Sequence, residues 1–458
     1  MGKQAMNQQT FWPDKSEREL LGFFYLAEGI SEILNVVFIF RFIYLYMVLE
    51  KPEWAVITFF VEATVVLLME IPTGVVADRW GRKASVISGG IMYAFSLILI
   101  PYAVSHSGVS QLWAVSLCFA LAGLGQTLVS GAEEAWVVDN LNSANRKDLI
   151  DRYFGRVRSF AAFGGVGAGL LAVLIMFTAD VTQSTLDLLW YLAAFGILVT
   201  IAIVLRIPEY RPPQITEVNE FDEKTFFNRI THGFHIIFRS SHLTLLTIAI
   251  VIATFSGSIA DEAFDISMVT KGLDVRSLAV LGILTDLIGV IAPLVGVVIA
   301  RRFGASQVLI VFLILPAVLV CVFFFDPSLW MVLLIYALLA FFDYVWDPVA
   351  NAKLHSMIPS ASRATIGSTV NQLSGMASIG GLGLFALLLG EHSEALRSAT
   401  PDLVEAFSGG VNTHMHVPTG FLGVPIPDLI IILFVITGLS AIPFLYKGRS
   451  HEVRKEYK

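Results

Sequence analysis

Acidic side chains recur inside stretches of this chain that are otherwise apolar: Glu28, Glu32, Glu62, Glu70, Glu133, Glu134, Asp261, Glu262, Asp265, Asp286, Asp343 and Asp347, against one base, Arg41. In a low-dielectric setting a carboxylate keeps its proton, pairs with a cation or borders water. Glu28 stands eight residues inside its apolar run and Glu70 eight before Asp78, so both lie about 12 Å deep at 1.5 Å per residue, with Glu133 and Glu134 slightly shallower. Acids at one depth cannot all ionise. Glu70 is therefore expected to carry a proton, tuned by Glu28 and by one of Glu133 or Glu134. Those two neighbours point about 100° apart on a helix, so only one can face a shared space, and spacing does not choose between them. The alternative for Glu70 is a hydrogen bond to backbone near Pro72, whose ring removes a donor.

Arg41 and Glu62 are each eight residues from the ends of successive runs, and this matched depth predicts an ion pair, either a fixed one or a moving gate. Asp343 and Asp347 are one helical turn apart, flanked by Tyr344 and Trp346, with Asn371 and Gln372 on the next run. Together with Glu32 they suit a lipophilic cation through charge and cation–π contact, although aromatics in such runs also serve as packing. Asp261, Glu262 and Asp265 fall near the end of their run and are expected to be solvated. His392, His414 and His416 sit in a long polar stretch without a cysteine or acidic partner set, so a solvated cap is expected there and no metal site.

The elements that must hold these residues follow from composition. Of 458 residues, 56 % are hydrophobic and only 15 % charged, the mean hydropathy is +0.74 and the net charge −7. These values exclude a soluble multidomain enzyme, a disordered chain and a nucleic-acid binder. Lipid is the remaining solvent. Cys118 and Cys321 both lie in apolar runs and read as packing residues, and the polar stretch Met1 to Arg18 has no signal-peptide pattern.

A bilayer core of about 30 Å needs about 20 apolar residues per helix. Twelve such runs are present, at 20–49, 54–77, 84–104, 112–140, 154–179, 186–206, 243–270, 278–300, 307–325, 329–357, 364–390 and 428–446. With Met1 in the cytosol, 25 of the 30 Lys and Arg residues fall on cytosolic segments, leaving Arg41, Lys51, Lys271, Arg276 and Arg397. Both termini are thus expected to be cytosolic. The chain divides into a first six-helix half (1–206), a cytosolic linker with an interfacial helix (207–242), and a second half (243–458) with a long outer loop at 391–427. Repetition supports this division: Ser143-Ala144-Asn145-Arg146 recurs as Ser360-Ala361-Ser362-Arg363, and Gly164-Gly165-Val166-Gly167 as Gly380-Gly381-Leu382-Gly383, at offsets of 217 and 216. The expected fold is an all-α membrane protein of twelve transmembrane helices in two pseudo-symmetric bundles.

Between the second and third runs stands Gly74-Val75-Val76-Ala77-Asp78-Arg79-Trp80-Gly81-Arg82-Lys83. It resembles the G-x-x-x-D-R-x-G-R-K signature of the major facilitator superfamily. At such a site Gly74 permits close helix approach, Gly81 a tight turn, and Asp78 can meet a helix N-terminus. Glu70-Ile71-Pro72-Thr73-Gly74, Ser130-Gly131-Ala132-Glu133-Glu134-Ala135 with Asp139, and Ile358-Pro359-Ser360 leading into Arg363-Ala364-Thr365 resemble the third family of drug–proton antiporters, which includes macrolide-efflux-like proteins. Helix 5 has Gly164, Gly165, Gly167 and Gly169 without the Gly-Pro of the usual antiporter motif, and the second-half copy of the loop, Gly296 to Gly304, has lost its Asp.

The resemblance implies a secondary transporter of the inner (cytoplasmic) membrane, a monomer whose partners are a small-molecule substrate, protons and the lipid bilayer. Asp78 would cap a helix of the opposite half, with Arg79 or Arg82 meeting an acid near Asp139. No phosphate-binding G-x-x-x-x-G-K-[ST] loop is present, so no cofactor is expected and a gradient must supply the energy. The leading expectation is proton-coupled efflux of amphipathic or cationic drugs. The alternatives are a substrate-specific metabolite or siderophore porter and a non-transporting scaffold or sensor.

Overall fold

The computed structural model describes residue 13 and residues 15–180, 182–210, 234–270, 273, 275–324, 329–357 and 363–391. Among these residues the regular structure is entirely helical: α1 (Lys15–Leu34), α2 (Val37–Val48), α3 (Pro52–Trp80), α4 (Arg82–Ala103), α5 (Val109–Ser143), α6 (Ile150–Thr178), α7 (Gln183–Val204), α8 (Ser241–Thr270), α9 (Val275–Phe303), α10 (Ala305–Phe324), α11 (Leu329–Met357) and α12 (Arg363–Glu391). A helix satisfies its own backbone in lipid, which is why apolar runs of this length take no other form. Nine of the described spans are long and apolar enough to cross a membrane, counting α1 with α2 as one, and the bent α3 is a tenth. The expected span at 428–446, the loop at 391–427 with its histidines, and linker residues 211–233 lie outside the described residues.

The expected run over 20–49 is one span made of two helices, α1 and α2. Between Leu34 and Val37 the backbone tightens to three-residue bonds: Asn35 N–H donates to Glu32 O (3.2 Å), and Phe38 N–H to Asn35 O (3.1 Å). α3 bends by 53° between Glu53–Glu70 and Pro72–Trp80. Pro72 has no N–H, and its ring presses on the preceding turn. The Thr73 hydroxyl then donates to Met69 O (2.7 Å) and also reaches Thr127 O on α5 (3.1 Å), which ties the bend to its neighbour.

The Gly74–Lys83 loop, between α3 and α4, marks one end of the bundle. At the opposite end a single apolar core draws on helices from both parts of the chain, including Phe40, Phe59, Trp190, Ile259, Phe264 and Phe385. At the loop end there are two cores. One comes from α1–α7 and the residues just after them, with Leu21, Phe24, Trp136 and Tyr153; the other comes from α8–α12 and the segment before them, with Leu243, Val345, Leu354 and Val370. The bundle is therefore sealed far from the loop and divided near it. α6 packs on α9 and α3 on α12 across the division.

Small residues set the closest helix approaches. A Cβ on Gly89 of α4 would stand 2.6 Å from Gly125 O on α5, and one on Gly125 2.8 Å from Gly89 O. In lipid, packing of this kind replaces the hydrophobic drive between helices. Gly125→Val should force α4 and α5 apart and lose about 1–3 kcal/mol through overpacking. Gly131→Ala on the same helix meets nothing within 4 Å, and its thermal midpoint in detergent should match the wild type.

Candidate functional site: the central cavity and its charged gates

A cavity of about 580 Å³ lies among α1, α2, α6 and the helices α8–α11. Glu32 and Asn35 border it from the end of α1, and Arg41 from α2. Asp343, Tyr344 and Trp346 border it from α11. The indole N–H of Trp346 is buried without an acceptor among the described residues. Asn371 and Gln372 on α12 are not among its described lining residues, and the Asp347 side chain lies outside the described part. Asp261, which is exposed, and the half-buried Glu262 on α8 also border the cavity, while the Asp265 side chain lies outside the described part. Asp286 of α9, one acid among many in the sequence, borders it too. The carboxylates form an electrostatic sequence, Glu133 with Glu28, Glu28 with Glu32, and Glu32 with Asp286.

Glu133 is half-buried beside Glu28, whereas Glu134 is exposed. Neither is among the described lining residues of the cavity. Glu70 is exposed beside the Pro72 bend.

On the sealed side of the bundle the structure brings Arg41 and Glu62 together, with Nη1 3.4 Å from Oε2. Gln126 of α5 donates to the other oxygen at 3.2 Å, and the guanidinium lies over the rings of Phe59 (4.3 Å) and Phe38 (4.8 Å). Two aromatic faces and an amide replace the water that each charge gives up. Nothing in the spacing of Gln126 or Phe59 singles them out, because their roles exist only once α3 and α5 pack.

At the loop end, Gly81 closes α3 and opens α4 at φ 108°, a conformation that glycine takes without strain. Arg82 Nε meets Asp139 at 3.1 Å, joining the start of α4 to α5. Asp78 is not at a helix N-terminus here: its side chain is 76 % exposed and reaches only Arg82, at 3.8 Å. Arg79 is exposed, and Gly74 faces open space where close approach had been expected. Glu209 takes the N-terminal position instead, its Oε1 accepting from the backbone N–H of Arg82 (2.6 Å) and Lys83 (3.2 Å). A carboxylate is favoured there by the orphan donors and the helix dipole. Lys83 Nζ complements it by donating to Leu205 O (2.8 Å) and Ile207 O (2.6 Å) at the end of α7. Trp136 and Asn140 both donate to Pro208 O, at 3.1 and 2.9 Å. The loop is therefore latched within α3, α4, α5 and α7.

Two further charged contacts escaped the sequence reading. Glu17, placed there in a polar leader, is fully buried in α1, accepting from Arg156 Nη1 (2.5 Å) and from the Tyr25 hydroxyl (3.0 Å). Asp187 accepts from the Tyr44 hydroxyl at 2.5 Å. The interior position of Arg156, two turns into its helix, was the available signal for the first.

Membrane-length helices that enclose an acid-lined cavity, sealed at one end and divided at the other, define a multi-pass membrane transporter rather than an enzyme. Residues 26–383 match the family described as Major Facilitator Superfamily, and the chain belongs to it. No curated protein matches it by sequence. Among solved structures it is similar to the nucleoside transporter NupG (12 % identity, 94 % of this chain and 99 % of that one, TM-score 0.67) and to a D-xylose–proton symporter (13 %, 93 % and 98 %, 0.68). It is also similar to a bacterial homologue of the iron transporter ferroportin. The TM-score is 0.64 against the inward-facing state (12 %, 92 % and 98 %) and 0.56 against the outward-facing state (12 %, 93 % and 98 %).

Removing one member of the Arg41–Glu62 pair leaves the other charge poorly solvated. Arg41→Gln or Glu62→Gln should each lower stability by about 3 kcal/mol, the lower end for a buried pair because Arg41 keeps some exposure. The double variant should be more stable than the sum of the two losses predicts. Strictly additive thermal shifts would show that the contact contributes nothing.

Proposed function

We propose that this protein exports amphipathic cations across the cytoplasmic membrane by alternating access, driven by protons moving inward. The observation that carries the reading is the cavity itself: carboxylates from α1, α8, α9 and α11 share it with Tyr336, Tyr344 and Trp346, and Arg41 is the one base among its described lining residues. Such a lining attracts positive charge and offers π-faces to an organic cation. The two sets of helices act as rocking halves, and the loop end is cytosolic, in keeping with the concentration of Lys and Arg there.

The sealed far end and the divided loop end favour an inward-facing state, as does the better fit to the inward-facing ferroportin homologue. In this state the cavity takes up a cation from the cytosol as its acids release protons. After the halves rock, protons from outside displace the cation and reset the acids. Glu28 and Glu133 tune this exchange, with Glu134 at the rim and Glu70 at the α3 bend carrying the released protons toward the cytosol.

Everted vesicles given a panel of lipophilic cations test the reading. Accumulation should require an acid interior and collapse with a protonophore. Accumulation of a neutral metabolite in place of any cation would move the protein to the substrate-specific porters. The loop supplies a second test. Asp78 is free to engage the opposite half when the loop end closes, a charge-assisted contact of about 1.5–3 kcal/mol. Asp78→Asn should therefore cut transport by about ten-fold or more at unchanged protein level, since each 1.4 kcal/mol is a factor of ten. Wild-type transport in that variant would remove Asp78 from the gate.

A further inference from the structure

α6 meets α9 along a face of glycines, and one of these glycines is occupied in an unusual way. A Cβ on Gly165 would stand 2.9 Å from Cγ, Oδ1 and Oδ2 of Asp286 alike. The Asp286 carboxyl therefore rests in the space that any other residue at 165 would fill. A charged group from the second set of helices is seated against the backbone of the first, at the edge of the central cavity. Along the same contact, a Cβ on Gly169 of α6 would run into Ile283 of α9. The approach thus extends along the helix pair.

The groups that face this seat come from every neighbouring element. From α1 there is Glu32, in electrostatic reach of Asp286 and of Glu28. From α11 there are Tyr344 and Asp343, and from α8 Asp261, all in reach of one another through Tyr344. From α2, Arg41 borders the same cavity but pairs with Glu62. α6 contributes no ionisable group at the seat itself. Glu32 and Asp286 are thus in electrostatic reach of each other from opposite sides of the division, with no salt bridge to either among the described residues.

We propose that Asp286 is the coupling carboxylate of this transporter: with Glu32 it forms a pair spanning the two halves that holds a single proton or a single substrate cation, seated by Gly165. Two carboxylates in mutual reach and partly shielded from water do not both ionise without a cation between them. While α6 and α9 stay packed at this point, the pair releases its proton to cytosolic water only when a substrate cation replaces it. Rocking of the halves changes the distance between the two carboxylates and with it the affinity for either cargo. The proposal rests on the export reading for its cargo, but the pair itself can be measured without any substrate.

Purified protein in detergent is heated at a series of pH values. Because the folded state holds the shared proton more tightly than the unfolded chain does, the wild type should lose thermal stability as pH rises. Asp286→Asn, and separately Glu32→Gln, should roughly halve that slope or flatten it further, and the double variant should add little to either single one. Gly165→Ala keeps both carboxyls but removes the seat, and should also flatten the slope.

In proteoliposomes with tetraphenylphosphonium as the probe, Asp286→Asn should lower gradient-driven accumulation at least ten-fold more than it lowers counterflow exchange. An unchanged pH slope in both Asp286→Asn and Glu32→Gln would overturn the pair, whatever the vesicles do. Full gradient-driven accumulation by Asp286→Asn would overturn its coupling role. A flattened slope in protein whose wild type moves no cation would instead retire the export reading and leave the pair standing.

Discussion

An ionised carboxylate against lipid is several kcal/mol less stable than one in water, so the acids of this protein determine where its helices can leave space. Each charged group among those described in the interior has a distinct solution. Glu62 takes a guanidinium and an amide, Glu17 a guanidinium and a phenol, and Asp187 a phenol. Glu32, Asp261, Glu262, Asp286 and Asp343 border one cavity, and Glu28 lies in electrostatic reach of both Glu32 and Glu133. The acids thus gather around shared space. That follows from the solvent being lipid, and a soluble helical bundle would be under no such pressure.

The same constraint organises the loop end differently. There the charges are near water and the contacts are worth less individually, but they are linked. Arg82 joins α4 to α5 through Asp139, Glu209 holds the start of α4, and Lys83 holds the end of α7. Four helices are thereby tied at one corner. Asp78 is left exposed, reaching Arg82 at 3.8 Å.

Packing at the far end is the counterweight. One apolar core joins helices from both parts of the chain, and the Arg41–Glu62 contact lies next to it between two phenylalanine rings. A sealed end and a divided end in one molecule are what a rocking mechanism requires of any single state. The seam on which the parts bear is lined by small residues on α6 and α12, against α9 and α3. Glycines there let backbones slide or tilt without unlocking large side chains.

Apolar runs of about 20 residues, read against the thickness of a bilayer, were enough to specify helices, their number within the described region and the family signature in the loop. The matched depths of Arg41 and Glu62 likewise predicted their meeting, because depth along a straight helix is linear in residue number. Depth failed where the helix was not straight or where rotation mattered. The break at Asn35 and the 53° bend at Pro72 altered the paths of the first two spans, and Glu70 came out exposed. Whether Glu133 or Glu134 turns inward depends on how α5 is rotated against α1, which only packing fixes. Glu209 was invisible because its partners are more than a hundred residues away, and for Glu17 the signal was Arg156, set inside a distant helix. Gly165 and Asp286 carry no shared pattern in the sequence at all. Their contact exists because α6 and α9 approach closely enough for a missing Cβ to become a seat, and helix-to-helix distance is set by the whole fold rather than by either residue.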